Sequence, residues 1–414
     1  MKRVILLGVA AIFSAAFSSS YAQSVLGSWN GQLEIGPQKL SIVFHLTEDE
    51  SGQRYCVMDS PDQGATGIRA EVLHMSNDSL SIAIKSIGLS YTGKLSGHDD
   101  IKGTFMQSGL KLPLDLKRGL IKRNRPQHPS EPYPYTIEDV KFRNEKADIT
   151  LAGTLTYPVG YDGSKRVPVV VMVTGSGLEN RDEEVYEHKP FLVIADYLAR
   201  NGIASLRYDD RGFGESTGNG AIATTLDFTD DAVAGFEMLK STGRFDKVGI
   251  LGHSEGGCIA FMAAARGKAD FIVSLAGVGV KADAALTAQV NKINELMGIT
   301  TATTVEQYRE SVKQMQSPWI DWFIDYDPED DIKGTKCPVM AVNGSKDVQV
   351  ISTLNLEGIR KNLPDHPKHL IREYSDLNHL FQTCETGLPQ EYPDIEETVN
   401  PQVLKDISDW INDL

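Results

Sequence analysis

The stretch that most constrains this chain is Lys247–Met262, which reads Lys-Val-Gly-Ile-Leu-Gly-His-Ser-Glu-Gly-Gly-Cys-Ile-Ala-Phe-Met. Val248–Leu251 is a short apolar run that suits a buried strand, and a small-residue helical pattern runs on through Ala265. Between them Gly252-His253-Ser254-Glu255-Gly256 forms a G-x-S-x-G turn in its required strand-to-helix setting. So sharp a turn holds the serine in a strained backbone conformation, and side chains at Gly252 or Gly256 would collide with neighbouring backbone. The serine hydroxyl is thereby lifted to the edge of the sheet, with helix N-terminal N–H groups pointing at it. Ser254 is therefore the candidate nucleophile, and such a residue needs partners elsewhere in the chain.

Around the turn the sequence alternates strand and helix, which predicts a mostly parallel α/β sheet over residues 136–414. Thr136–Arg143 and Ala147–Tyr157 read as strands, then Val167–Val173 as a buried strand ending in Thr174-Gly175-Ser176-Gly177. Phe191–Asn201 reads as a helix, Ile203–Tyr208 as a strand, Asp209–Ser216 as a turn, Thr225–Ser241 as a helix and Phe271–Ala276 as a strand. Cys337–Val342, Ser352–Asn362 and His369–Tyr374 continue the alternation, and Pro401–Leu414 closes it as a helix. Helical sequence at about 281–333 interrupts the pattern. Near its end Trp319, Trp322, Phe323 and Tyr326 recur at i, i+3, i+4 and i+7, an aromatic stripe down one helix face. Such a stripe packs on the core or belongs to a cap that walls a substrate pocket, and one helix can do both. The second reading makes Trp319, Trp322 and Phe323 candidate substrate-binding residues.

Residues 24–122 are all-β in pattern. Short runs at Trp29–Leu33, Lys39–His45, Gln53–Met58, Glu71–Met75, Ser79–Ile84, Tyr91–Leu95, Ile101–Met106 and Pro113–Leu116 are punctuated by turn residues, as a meander or small barrel requires. His45, His74 and His98 have no partners at telling spacing and read as surface or hydrogen-bonded histidines. Residues 123–135 contain four prolines in a polar context, which predicts a semi-rigid extended linker at a domain boundary.

Residues 1–22 have the pattern of a signal peptide. Lys2 and Arg3 form the positive end, Val4–Phe17 the apolar run, and Ser20-Tyr21-Ala22 a small-x-small cleavage site, so cleavage after Ala22 and export to the periplasm or medium are expected. The apolar run is short for a bilayer and nothing later is apolar enough to span one, so no stable membrane insertion is expected. A formal net charge of −15 sets the surface against phosphate backbones, which argues against a nucleic-acid partner. Walker, dinucleotide, EF-hand and zinc-spaced motifs are absent, so neither a metal nor an organic cofactor is expected. The four cysteines are scattered: Cys258 reads as a small buried residue, and a Cys337–Cys384 bridge is left open.

A nucleophilic serine needs a base, and the base needs an orienting carboxylate. The Val339–Val342 strand runs into Asn343-Gly344-Ser345-Lys346-Asp347, and the His369–Tyr374 strand into Ser375-Asp376-Leu377-Asn378-His379. His379 is thus the candidate base and Asp347 the candidate acid. Asp376 is a rival acid, but its closeness to His379 in sequence makes the approach to the imidazole awkward. Asp210 and Glu255 read as structural. A developing oxyanion needs two converging N–H donors. The backbone of Glu255 is one, and Ser176, with Gly177 as second choice, is the other.

These residues carry a resemblance. Residues 140–414 resemble the α/β-hydrolase superfamily, and in particular a bacterial esterase and acyl-hydrolase branch. The features are Gly175-Ser176-Gly177 with Asn180-Arg181-Asp182-Glu183, Asp209–Ser216, the Gly252–Gly256 turn, Ser317-Pro318-Trp319 through Asp327-Pro328, Lys346–Val350 and Leu377–Gln382. Thr174 departs from the pattern, since many relatives have histidine before the oxyanion glycine. The resemblance implies an α/β-hydrolase fold with a helical cap and hydrolysis of carboxylic esters by Ser254, Asp347 and His379. The substrate expected is a small-molecule or carbohydrate-linked ester. Three alternatives stand beside this reading. They are an acyl thioesterase, a serine peptidase of the same fold, and a ligand- or carbohydrate-binding protein with a degenerate hydrolase domain. The region before Tyr135 is too short for the β-propeller of prolyl-oligopeptidase-type enzymes.

Overall fold

The computed structural model describes residues 24–35, 38–49, 51–61, 65–120 and 123–414. The signal-peptide pattern at residues 1–22 lies outside the described residues. The chain divides into two compact units, one ending at Lys122 and one beginning at Arg123.

The described strands of the first unit are β1 (Gly27–Ile35), β2 (Gln38–Glu48), β3 (Arg54–Ser60), β4 (Ala65–Met75), β5 (Ser79–Ile84), β6 (Leu89–Leu95), β7 (Asp100–Gln107), β8 (Leu110–Pro113) and β9 (Leu116–Arg118). Every pairing is antiparallel, in the order β6-β5-β4-β3-β2-β1-β9-β7-β8, and a β6–β7 pairing closes the sheet into a barrel. The period of two that marks a half-buried strand is plain in β5, where Leu80, Ile82 and Ile84 point inward between half-exposed neighbours. Trp29, Leu33, Phe44, Tyr91 and Phe105 fill the interior. Pro113–Leu116 is not one strand. Leu114 is fully buried between β8 and β9, its N–H bonds Gly103 O (3.0 Å), and its carbonyl accepts the Tyr91 hydroxyl (3.1 Å). Those inward bonds divide the run. His45 is a hydrogen-bonded residue, held between Asp59 (2.8 Å) and Ser28 (3.0 Å).

The second unit has strands β10 (Ile137–Asn144), β11 (Ile149–Thr156), β12 (Val167–Val173), β13 (Ala204–Tyr208), β14 (Phe245–His253), β15 (Ile272–Leu275), β16 (Val339–Gly344) and β17 (Leu370–Tyr374). Its helices are α1 (Pro190–Arg200), α2 (Thr225–Thr242), α3 (Glu255–Ala265), α4 (Ala282–Leu296), α5 (Val305–Val312), α6 (Pro318–Phe323), α7 (Glu329–Gly334), α8 (Ser352–Asn362) and α9 (Pro401–Asn412). The sheet order is β10-β11-β13-β12-β14-β15-β16-β17. β10, β11 and β13 pair antiparallel, and from β13 to β17 every pairing is parallel. Parallel strands covered on both faces read as continuous apolar runs, and Val169–Val173 of β12 and Val248–Leu251 of β14 are wholly buried. Separate apolar clusters lie along the sheet. Loops at the carboxyl ends of β12, β14, β16 and β17 carry the four candidate site segments, which is where open α/β sheets bind ligands.

The structure adds detail at several of these places. The proline-rich run 123–135 falls within the second unit, which begins at Arg123. Arg125 donates to the carbonyls of Ile395 (2.8 Å), Pro393 (2.8 Å) and Tyr186 (2.9 Å), and Gln127 bonds Val399 through both its amide groups. The aromatic stripe does not lie on one helix, because α6 ends at Phe323 and Tyr326 falls in the following turn. All four cysteines are free thiols, so Cys337 and Cys384 form no bridge. Among the described residues no helix is long and apolar enough to cross a membrane.

Candidate active site

Ser254 follows β14 and begins α3 with φ +54° and ψ −116°, a conformation that costs a non-glycine residue of order 1–3 kcal/mol. The turn closes too tightly for side chains at its glycines. A Cβ on Gly252 would lie 1.9 Å from Gly256 O, and one on Gly256 would lie 2.1 Å from Val173 O. Ser254 N–H is anchored on Leu275 O (2.8 Å), which ties the turn to the neighbouring strand.

His379 and Asp347 meet from loops after β17 and β16. Nδ1 of His379 lies 2.8 Å from Oδ2 of Asp347, and both residues are buried. The other Asp347 oxygen accepts the N–H groups of Gln349 (2.8 Å) and Val350 (2.9 Å), so the carboxylate cannot swing. An ionised carboxylate only accepts, which puts the proton on Nδ1 and leaves Nε2 free to take one. Asn378 shapes the base loop, its side-chain oxygen accepting Leu380 N–H (3.0 Å) and Gln382 N–H (2.9 Å). The rival Asp376 points elsewhere: its side chain is 65% exposed and pairs with Lys346 at 3.1 Å. Among the described residues the Ser254 hydroxyl makes no hydrogen bond, so the serine-to-base contact is open in this structure. Such bonds are commonly long before substrate binds.

The loop after β12 is held by carboxylates. Gly175 N–H bonds Glu183 Oε1 (3.1 Å), Glu179 N–H bonds Asp210 Oδ2 (2.9 Å) and Arg181 N–H bonds Asp209 Oδ1 (2.9 Å). Thr174 donates its hydroxyl to Asp210 (3.0 Å). Burial pushes the Asp210 carboxyl up to about 7, against the bonds from Glu179 and Thr174. Burial also opposes ionisation of Asp209, but the Arg181 guanidinium outweighs it and holds that carboxyl below its usual range. Among the described residues the N–H groups of Ser176, Gly177 and Glu255 have no protein acceptor, which leaves them available to an oxyanion.

The cap aromatics divide. Phe323 and Tyr326 are buried in a cluster with Cys258 and Met262 of α3 and with Val278 and Val350. Trp319 and Trp322 are half-buried, stacked on Phe323 (5.1 Å) and Tyr326 (5.3 Å) respectively. The Trp319 indole N–H donates to Glu255 Oε2 (2.9 Å), joining the insertion to the residue that follows the nucleophile. Burial pushes the Glu255 carboxyl up to about 7, and the hydrogen bond from Trp319 opposes the shift. Two residues that sequence reasoning passed over also belong here. His253, inside the turn motif, bonds Glu183 through Nδ1 (2.9 Å) and the carbonyl of His379 through Nε2 (2.9 Å). Glu183 stood among the resembling residues with no role assigned. Among the described residues no group of three or more His, Cys, Asp or Glu is gathered to hold a metal ion.

Topology and site together define an α/β-hydrolase fold. Residues 187–328 match the family model described as serine aminopeptidase, S33. Esterase EstD of Thermotoga maritima is 28% identical over 282 residues, covering 64% of this chain and 67% of that one. Among solved structures, an esterase of Pyrococcus furiosus is 15% identical with a TM-score of 0.45, covering 71% of this chain and 99% of that one. Est1E of Butyrivibrio proteoclasticus, with bound ferulic acid, is 17% identical with a TM-score of 0.42, covering 66% and 96%.

Proposed function

We propose that this chain is an exported serine carboxylesterase acting on small-molecule or carbohydrate-linked esters. The observation that carries the reading is the buried 2.8 Å Asp347–His379 bond beside a serine in the strained turn. His379 Nε2 takes the Ser254 proton as Oγ attacks the ester carbonyl carbon. The resulting oxyanion is received by the N–H groups of Glu255 and Ser176. The tetrahedral adduct then collapses, His379 gives its proton to the departing alcohol, and an acyl-enzyme remains on Ser254. Water gives a proton to His379 as it attacks the acyl carbon, and His379 returns that proton to Ser254 Oγ as the acid leaves. The kinship to Esterase EstD supports ester chemistry, and export rests on the pattern of residues 1–22.

The test is hydrolysis of p-nitrophenyl esters and acetylated sugars by the wild type and Ser254→Ala, with fluorophosphonate labelling of both. Wild-type turnover with loss on the order of 10⁴–10⁶-fold in the variant is expected. A variant that retains wild-type turnover would overturn the nucleophile. The family model's description makes aminopeptidase action the second reading, and preferred cleavage of aminoacyl p-nitroanilides would favour it.

A further inference from the structure

His253 and Glu183 are not among the groups that exchange protons or touch substrate in this mechanism, yet both are almost completely buried beside it. Burying two ionisable groups is costly unless each satisfies the other and the remaining polar atoms find partners. These do. His253 Nε2 lies 2.9 Å from a main-chain carbonyl, that of His379, and a carbonyl only accepts, so Nε2 carries a proton. Its Nδ1 lies 2.9 Å from Glu183 Oε1, and the same oxygen accepts Gly175 N–H at 3.1 Å. An oxygen that receives two N–H groups at once is best served by a full negative charge, which makes the ring an imidazolium. The groups facing the ring are Glu183 and Glu179 from the loop after β12, the His379 ring at 4.6 Å and the Phe381 ring at 6.4 Å. Burial disfavours the charged ring, but the charge and hydrogen bond of Glu183 outweigh it and carry His253 up to about 9.

Three separate parts of the site converge on this pair. His253 is the residue before the nucleophile, its Nε2 holds the main chain of the base itself, and Glu183 holds the residue before the oxyanion donor Ser176. We propose that Glu183 and His253 are positioning residues of the hydrolytic site, a buried charge pair that fixes the nucleophile turn, the base loop and the oxyanion loop in one register. The proposal rests on the esterase reading for its kinetic arm. Because reacting groups must meet within tenths of an ångström, loosening such a tie lowers the rate of the chemical step more than it weakens substrate binding. Glutamine at 183 preserves shape but not charge. Its oxygen holds Gly175 while attracting His253 more weakly, and its amide nitrogen in that place would oppose Gly175 N–H.

The experiment compares full-length wild type, Glu183→Gln, His253→Gln and the double variant on p-nitrophenyl acetate, with kcat expressed per serine titrated by a fluorophosphonate. Titration removes any effect of misfolded protein. Glu183→Gln is expected to lower kcat about 10- to 100-fold with KM within about threefold. The double variant is expected to lose no more than the worse single one, as members of one unit do. Unchanged kcat per titrated serine, a loss confined to KM, or multiplicative losses in the double variant would each overturn the proposal. A second measurement needs no variant: ¹⁵N-histidine NMR of the wild type at pH 7.5 should show both His253 ring nitrogens protonated. A neutral His253 ring at that pH overturns the charge pair. A wild type that neither cleaves esters nor reacts with the probe fails the esterase reading alone, and the NMR measurement still decides the pair.

Discussion

The interior of the barrel is closed by Trp29, Phe44, Tyr91 and Phe105, and its buried polar residues, among those described, are two serines, Ser41 and Ser60. The catalytic unit instead buries Glu183, Arg207, Asp209, Arg211, Asp231, His253, Asp347 and His379 among others. Nearly all of these charges are paired: Arg211 with Asp231 (2.6 Å), Arg181 with Asp209 (2.7 Å), His253 with Glu183 (2.9 Å) and Arg207 with Asp182. A barrel core gains mainly from apolar burial and tolerates volume-conserving exchanges of its side chains. A buried ion pair contributes little net stability, because desolvation offsets the attraction, but it is specific about geometry. Buried charge in this molecule therefore marks where positions matter, and it gathers on the loops at the carboxyl ends of the catalytic sheet.

Breaking a catalytic charge pair should produce the largest effect. Asp347→Asn is expected to lower kcat on the order of 10³–10⁴-fold, because the imidazole loses its orienting acceptor. Asp376→Asn, which breaks only the exposed pair with Lys346, should stay within about threefold. Steady-state kinetics on one ester decides between them, and reversed magnitudes would make Asp376 the acid.

The opposite change sharpens the contrast. Trp29→Ala removes a fully buried ring from the barrel and should cost about 3–5 kcal/mol of that unit's stability. Denaturant melts should show the loss, while kcat per titrated serine remains that of the wild type. A matching fall in kcat would mean the two units are not separable in this way.

Glu255→Gln gives the smallest and most conditional effect. The unfolded carboxyl ionises near 4.5 and the folded one near 7, so across that window the native state holds the extra proton and loses stability as pH rises. Glutamine keeps an acceptor for the Trp319 indole and removes the titration. The variant should therefore gain on the wild type between pH 4.5 and 7 and keep the advantage above it, by about 3 kcal/mol. Melting temperatures at pH 4.5 and 8 test this, and an advantage greater at the lower pH would contradict the burial of Glu255.

Much of the catalytic sheet was legible because its signals are short-range. Val167–Val173 and Ser352–Asn362 fall where the apolar runs and helical periodicity put them, and the loops after β12, β14, β16 and β17 follow from strand ends alone. The aromatic spacing of Trp319 to Tyr326 misled, since side-chain period says nothing about where a helix stops, and α6 is only six residues long. The prolines of residues 123–135 indicated a segment outside regular helix and strand, and its backbone turns at Arg125–His128. What they could not show is that Arg125 and Gln127 find carbonyls more than 260 residues away. Pro113–Leu116 looked continuous because the inward bonds of Leu114 are made to residues on other strands.

By itself the sequence determined the turn around Ser254. The glycines at 252 and 256 are demanded by backbone atoms 1.9 and 2.1 Å from where a Cβ would sit, and a strand-turn-helix of that composition has few other ways to fold. It also named the residue types that a serine hydrolase requires. Tertiary structure alone brought the Asp347 carboxylate onto His379, set Glu255 to receive Trp319, and let His253 reach both Glu183 and the base loop. Those partners lie 32, 64, 70 and 126 residues apart in the chain. No local propensity encodes a hydrogen bond over such a separation. It exists only once β12, β14, β16 and β17 have paired in register and brought their loops to one end of the sheet.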